Sequence, residues 1–270
     1  MKRKIFFRWL KVIILIYSSI GIALFYLQDR FLFHPEKLSS AYVYHFKMPF
    51  EELNIPFNNI DTINLIKFFP TDSIRRGVVV YFHGNKNNIE HYAKFANNFT
   101  KYGYEVWMED YPGFGKSTGE RSEKKMLQQG LQIQRMAAAK YGKDSIIIYG
   151  KSFGTGIAAN VASESTNQRL ILETPYYSIP SLFTCYAPIY PTSQMTNYQL
   201  PVHLFLVDVN YPITIFHGTS DGVIPYRNAA KLKTLLKSTD EFITINKGAH
   251  NNLNNFDLVK QKLDSLLNLR

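Results

Sequence analysis

The sequence predicts an α/β fold: a mostly parallel eight-stranded sheet with helices on both faces, preceded by an N-terminal transmembrane helix. Three observations predict it. Short β-type runs alternate with helical patterns along most of the chain, as in a parallel sheet covered on both faces. Two of those runs, Gly77–Phe82 (GVVVYF) and Ser145–Tyr149 (SIIIY), are almost wholly apolar, as central strands buried on both sides are. Finally, Val12–Leu27 contains 16 residues without a charge.

Composition narrows the class further. The 270 residues are 46% hydrophobic, 15% aromatic and 19% charged, enough apolar surface for a sizeable core, which excludes a disordered or fibrous chain. A mean hydropathy of −0.17 and a single run near spanning length argue against a multi-span membrane protein. The one cysteine, Cys185, permits neither a disulfide framework nor a cysteine-rich metal site, and it reads as a partly buried apolar residue. Half of the +10 net charge lies in the first thirty residues (Lys2, Arg3, Lys4, Arg8, Lys11 and Arg30 against Asp29). The remainder is spread over 240 residues, so nucleic acid is not an expected partner.

The elements follow in order. Val12–Leu27 spans about 24 Å as a helix, and Trp9–Gln28 reaches the thickness of a hydrocarbon core if Lys11 snorkels. Trp9, Tyr26 and Phe31 suit the two interfaces. A cleaved signal peptide and a buried soluble helix compete with this reading. Phe25, Tyr26 and Leu27 fit a small-residue cleavage site poorly, which favours an uncleaved anchor over residues 1–29. The basic residues before the run place the N-terminus in the cytoplasm and the rest of the chain on the non-cytoplasmic side. Residues 28–50 read as a linker. The domain proper, residues 30–270, begins with an antiparallel pair, Phe50–Phe57 and Ile63–Phe69. Further strands are expected at 77–82, 105–109, 145–149, 170–172, 213–216 and 242–245. Helices are expected at 89–102, 122–141, 154–163, 226–236 and 253–267. Between Tyr176 and Pro212 the pattern lapses into five prolines and many aromatics, read as a short lid over about 176–211.

The chemistry-bearing residues fall at strand ends. Gly150-Lys151-Ser152-Phe153-Gly154 joins a buried strand to a small-residue helix, the setting in which a G-x-S-x-G turn lifts a serine above a sheet. Ser152 is therefore the expected nucleophile. A serine hydroxyl needs a base, and His250, in the loop after the last strand, is assigned that role. Asp221, after the strand 213–216, is the acid that orients it. Glu173 is the runner-up acid, and His217 competes as base from a strand end. The oxyanion donors are expected to be the backbone N–H groups of Phe153 and Asn85. His83 reads as a brace for that second loop. Asp110–Gly119 lacks phosphate-loop spacing and reads as structural. Tyr176, Tyr177, Phe183, Tyr186 and Tyr190 of the lid are candidate substrate-binding residues.

These segments together resemble the α/β-hydrolase superfamily. The matching motifs are HGN at His83–Asn85, DYPGFGKSTG at Asp110–Gly119, GKSFG at Gly150–Gly154, HGTSDGVIP at His217–Pro225 and GAHNN at Gly248–Asn252. The apolar segment followed by FLFHPEKL (Phe31–Leu38) is similar to a branch of membrane-anchored hydrolases that includes serine aminopeptidase-like and depalmitoylase-like proteins. The resemblance implies ester, thioester or amide hydrolysis through an acyl-enzyme, without metal or organic cofactor, on a small-molecule or lipidic acyl substrate. Two departures stand out: the cap is short, and Gly222 follows the acid where the family often has a larger residue. Peptidase activity is the least favoured, since no acidic lid residue stands out as an amine anchor. A catalytically silent membrane-tethered scaffold of the same fold is the competing function.

Overall fold

The computed structural model describes residues 2–72 and 75–268; residues 1, 269 and 270, at the edges of the expected anchor and domain, lie outside the described residues. The chain opens with α1 (Lys2–Leu32), one continuous helix of 31 residues that is long and apolar enough to cross a membrane. Only Gln28 and Leu32 of this helix are buried. A short strand and a hairpin follow: β1 (His34–Pro35), then β2 (Phe50–Pro56) and β3 (Thr62–Phe68). The alternating core comes next, with β4 (Gly77–Phe82), β5 (Lys86–Asn87), α2 (Ile89–Tyr92), α3 (Asn97–Thr100), β6 (Tyr104–Glu109) and α4 (Glu123–Tyr141). It continues through β7 (Ile146–Lys151), α5 (Gly154–Ser163) and β8 (Arg169–Glu173). An insertion carries α6 (Ile179–Tyr186), α7 (Thr192–Met195) and α8 (Val202–Phe205), and β9 (Ile213–Gly218), α9 (Tyr226–Ala229), β10 (Glu241–Ile245) and α10 (Asp257–Asn268) close the chain.

Eight strands form one sheet in the order β10-β9-β8-β7-β4-β6-β3-β2. The hairpin β2–β3 is antiparallel, as expected, with Phe50 opposite Phe68 and Pro56 opposite Thr62; β3 also runs against β6. All other pairings are parallel. The continuous apolar strands are explained by the two layers they bury. In β4, Val78, Val80 and Phe82 pack with Met126 and Ile133 of α4 and Ile157 of α5. Val79 and Tyr81 face the opposite layer, with Ile89, Phe99, Val259 and Leu263.

Four sequence-based expectations need correction. The helix expected over 253–267 opens as a 3-10 turn, Leu253–Asn255, before α10. Residues 28–50 are not a free linker. Phe33 is buried, with its ring 5.0 Å from those of Phe153 and Tyr198, and Tyr44 is buried as well. β1 pairs with β5, and Leu38 N donates to Gly115 O (2.8 Å), so aromatic anchors and backbone pairing tie this strap to the domain. The helix expected over 89–102 breaks into α2, a 3-10 turn at Ala93–Phe95 and α3, with two weak helix formers, Asn97 and Asn98, at the resumption. The helix expected over 226–236 is α9 followed by a 3-10 segment, Ala230–Leu235.

The packing of α5 onto the sheet is set by Gly154. A Cβ on this residue would collide with the carbonyl oxygens of Phe82 and His83, which belong to backbone and cannot rotate away. Gly154→Ala is therefore expected to lower stability by about 1–3 kcal/mol, the usual range for overpacking, read as a lower urea midpoint at unchanged m value.

Candidate active site

Ser152 follows β7 directly and lies in the left-handed region, at φ +52°. A non-glycine residue there is strained, and here the surroundings enforce it: Ser152 N donates to Glu173 O (2.9 Å), and Thr155 N donates back to Ser152 O (3.0 Å). The turn aims the side chain at the loops beyond the carboxyl ends of the parallel strands, where open α/β sheets place their sites.

Two of those loops meet it. His250 Nε2 lies 2.8 Å from Ser152 Oγ, and His250 Nδ1 lies 2.8 Å from Asp221 Oδ2. The three residues are 7–8% exposed, so the chain of hydrogen bonds is shielded from bulk water. Asp221 is fixed independently, since its Oδ1 accepts from Val223 N and Ile224 N, both at 2.8 Å. Burial alone would raise its carboxyl, but the His250 contact and those two N–H donors outweigh burial and hold it below its ordinary value. His250 sits in a loop closed by Ala249 N donating to Asn252 Oδ1 (2.8 Å).

The rival assignments are placed elsewhere. Glu173 is buried and bound to Lys151 Nζ and Tyr149 OH beneath the turn, with no contact to His250 among the described residues. His217 stands behind Asp221, its Nε2 3.8 Å from Oδ2. Burial pushes its imidazole down, against the opposing pull of Asp221, so it stays neutral. Its position is that of a structural residue.

The expected oxyanion donors also converge. The loop carrying Asn85 runs beside the serine: the Cβ position of Gly84 lies 3.7 Å from Ser152 Cβ. Asn85 O accepts from His34 N (2.9 Å), and its side-chain amide donates to Leu32 O, which ties this residue to the strap that follows α1. Among the described residues neither Asn85 N–H nor Phe153 N–H has a hydrogen-bond partner. His83 braces this loop from below, with Nε2 3.2 Å from Asp110 Oδ1 and its ring 4.3 Å from Tyr111 and 4.9 Å from Tyr92. Asp110 also accepts from Ile89 N (3.0 Å), and Lys37 bridges to Gly115, so the Asp110–Gly119 loop is a structural support.

A cavity of about 400 Å³ has Asn85 and Val223 on its wall, which places it at the edge of the Ser152–His250–Asp221 cluster without either Ser152 or His250 lining it. Of the five candidate substrate-binding residues, Phe183, Tyr186 and Tyr190 line it. Tyr176 and Tyr177 do not. Tyr176 is buried behind the turn with its hydroxyl donating to Phe153 O (3.0 Å), and Tyr177 stacks on His203 at 4.1 Å. Leu24, Gln28, Phe31 and Leu32 of α1 form the opposite wall, which sequence reasoning missed. The available signal was Gln28, a polar residue ending an apolar run, whose amide donates to Met195 O (3.1 Å). Among the described residues no three His, Cys, Asp or Glu side chains converge as a metal site requires.

The comparisons with known proteins agree with this architecture. A model of the family described as serine aminopeptidase, S33, matches residues 73–205. The lysophosphatidylserine lipase ABHD12 of Macaca fascicularis is 26% identical over 189 residues, covering 61% of this chain and 46% of the lipase. The chain thus spans about half the length of that relative. Among solved structures, the esterase Pf2001 of Pyrococcus furiosus matches with a TM-score of 0.66 at 15% identity, over 87% of this chain and 97% of the esterase. Est1E of Butyrivibrio proteoclasticus, with ferulic acid bound, matches with a TM-score of 0.64 at 18% identity, over 77% of this chain and 95% of that one. The fold is that of the α/β hydrolases.

One buried group near the site is energetically exposed to pH. Both carboxyl oxygens of Glu109, next to Asp110, are buried without a hydrogen-bond partner among the described residues. Burial, and then the neighbouring Asp110, push this carboxyl well above its ordinary value of 4.5. Above pH 4.5 the folded chain keeps a proton that the unfolded chain releases, so stability falls as pH rises toward the raised native value. Glu109→Gln does not titrate. It is expected to be more stable than the wild type at pH 7, with the advantage shrinking to nothing below pH 4.5, as measured by urea denaturation across pH.

Proposed function

We propose that the protein is a membrane-anchored serine hydrolase that cleaves carboxylic esters through an acyl-enzyme. The observation that carries this reading is the unbroken hydrogen-bond chain from Ser152 Oγ through His250 to Asp221, both links at 2.8 Å, on a serine held at positive φ. The matching family model carries the name of an aminopeptidase, whereas the relative at 26% identity is a lipase, and its name favours esters over amides.

With Nδ1–H donated to Asp221, His250 Nε2 takes the Ser152 proton as Oγ attacks the acyl carbonyl. Asp221, held ionised by its donors, stabilises the imidazolium that forms. The N–H groups of Asn85 and Phe153 receive the oxyanion, with Phe153 at the start of α5, where the helix dipole adds to the effect. The intermediate collapses, the C–O bond breaks, and His250 returns its proton to the departing alcohol. Water, deprotonated by the same imidazole, then attacks the acyl-enzyme and releases the carboxylic acid and free Ser152. A thioester would follow the same steps with a thiol leaving.

α1 anchors the enzyme, with residues 1–29 as the anchor, 30–270 as the hydrolase domain and about 176–211 as its lid. The five basic residues before the apolar run orient the N-terminus toward the cytoplasm.

Hydrolysis of p-nitrophenyl butyrate by the full chain tests the assignment. Ser152→Ala and His250→Ala are each expected to lower kcat about 10⁶-fold, and Asp221→Asn about 10⁴-fold. Because the three act as one unit, the double variant Ser152→Ala/His250→Ala should be no slower than either single one. Undiminished turnover by Ser152→Ala would move the chemistry to another residue.

A further inference from the structure

The cavity that reaches Asn85 has one wall from the domain and one from the N-terminal helix. Phe183, Tyr186 and Tyr190 face Leu24, Phe31 and Leu32 across it. The contact between the two walls is specific. Tyr17 and Tyr190 stack with ring centroids 4.6 Å apart, Tyr190 OH donates to Tyr17 O (3.0 Å), and Tyr17 OH donates to Ile189 O (3.0 Å). Gly21 makes the approach possible, since a Cβ there would lie 3.0 Å from the Tyr190 ring. At the other end Gln28 holds both Met195 O and Asn197 N.

A second, shallower groove, which shares Tyr190 and Met195 with the cavity, runs along α1 to Tyr17. Cavity and groove together follow the helix from residue 32 back to residue 17, about 22 Å. Tyr17 lies inside the uncharged run Val12–Leu27, so the inner end of this track lies at hydrocarbon depth. The domain side is suited to that depth. From Thr174 to Val207, 34 residues contain no Asp, Glu, Lys or Arg. Ile189, Tyr186, Leu204 and Val207 are large apolar or aromatic side chains exposed on this segment. The Ile189 carbonyl, which would be costly in lipid if left free, is satisfied by Tyr17.

We propose that this cavity and track bind the acyl chain of a long-chain lipid ester, which enters sideways from the bilayer between α1 and the lid, so that the anchor helix is part of the substrate site. The proposal rests on the serine-hydrolase reading for its ester chemistry. The carbonyl stops at Ser152 beside Asn85, the chain lies against Phe183, Leu24 and Tyr190, and the lid tip is immersed in the outer part of the hydrocarbon.

The test uses the full chain in phosphatidylcholine vesicles and a series of p-nitrophenyl esters from acetate to palmitate. For the wild type, kcat/KM rises about fourfold per added methylene until the cavity is filled. Leu24→Trp and Met195→Trp, one on each wall, lower the palmitate-to-acetate ratio at least tenfold. Leu24→Ala, which introduces no clash and keeps a good helix former, shifts the preferred chain length upward. A wild-type rate indifferent to chain length, or ratios unmoved by all three variants, overturns the proposal. A protein that hydrolyses no ester and takes no fluorophosphonate label at Ser152 fails the hydrolase reading instead. In that event the binding of a fluorescent palmitate analogue still decides the acyl site: binding weakened tenfold by Leu24→Trp upholds it, and binding indifferent to the substitution overturns it.

Discussion

The backbone of Ser152 is the constraint on which the site depends. At φ +52° a serine is held in a conformation that costs on the order of 1–3 kcal/mol, and it persists only because its surroundings leave no alternative. Its N–H is taken by Glu173 O on the neighbouring strand, and Glu173 in turn clamps Lys151 and Tyr149 on β7. On the other side α5 begins so close to β4 that only a glycine fits at position 154. The strain is offset by a buried ion pair, a parallel ladder and a helix seated hard against the sheet. The outcome is a hydroxyl raised above the strand ends and aimed at one imidazole.

Parallel strand direction then explains why the remaining groups meet it. Asn85 follows β4, Asp221 follows β9 and His250 follows β10, all at the carboxyl edge. Strands β7 to β10 lie side by side in the sheet, so residues 98 positions apart in sequence come within 2.8 Å. Each loop is braced on its own account: Asn85 by Leu32, His34 and the His83–Asp110 pair, Asp221 by two backbone donors, His250 by Asn252. The hydrogen-bond chain is therefore preorganised by the scaffold, the condition under which fixed dipoles are most effective in a water-poor site.

Much of this was legible in the sequence because local signals and tertiary demands coincide. The runs 77–82 and 145–149 read as buried strands since both their faces are covered, and Gly150 and Gly154 bracket Ser152 because the turn admits little else there. What escaped was set by contacts far apart in the chain. Phe33 and Tyr44 lie in a segment with no periodicity, and nothing local reports that Phe33 fills the space between Phe153, Phe114 and Tyr198. Tyr176 and Tyr190 have similar composition around them, yet one is buried against the nucleophile turn and the other stacks on the membrane helix. Aromatic side chains record that a surface is covered, and the covering partner is chosen only by the fold.

The central claim is that Ser152 is an activated nucleophile, and covalent labelling tests it most directly. The full chain, solubilised and folded, is treated with a fluorophosphonate probe and the adduct is located by mass spectrometry. The account predicts one probe per chain, on Ser152, absent from Ser152→Ala and slowed severely in His250→Ala. A folded protein that stays unlabelled in both detergent and lipid, or that carries the probe on another residue, would contradict it.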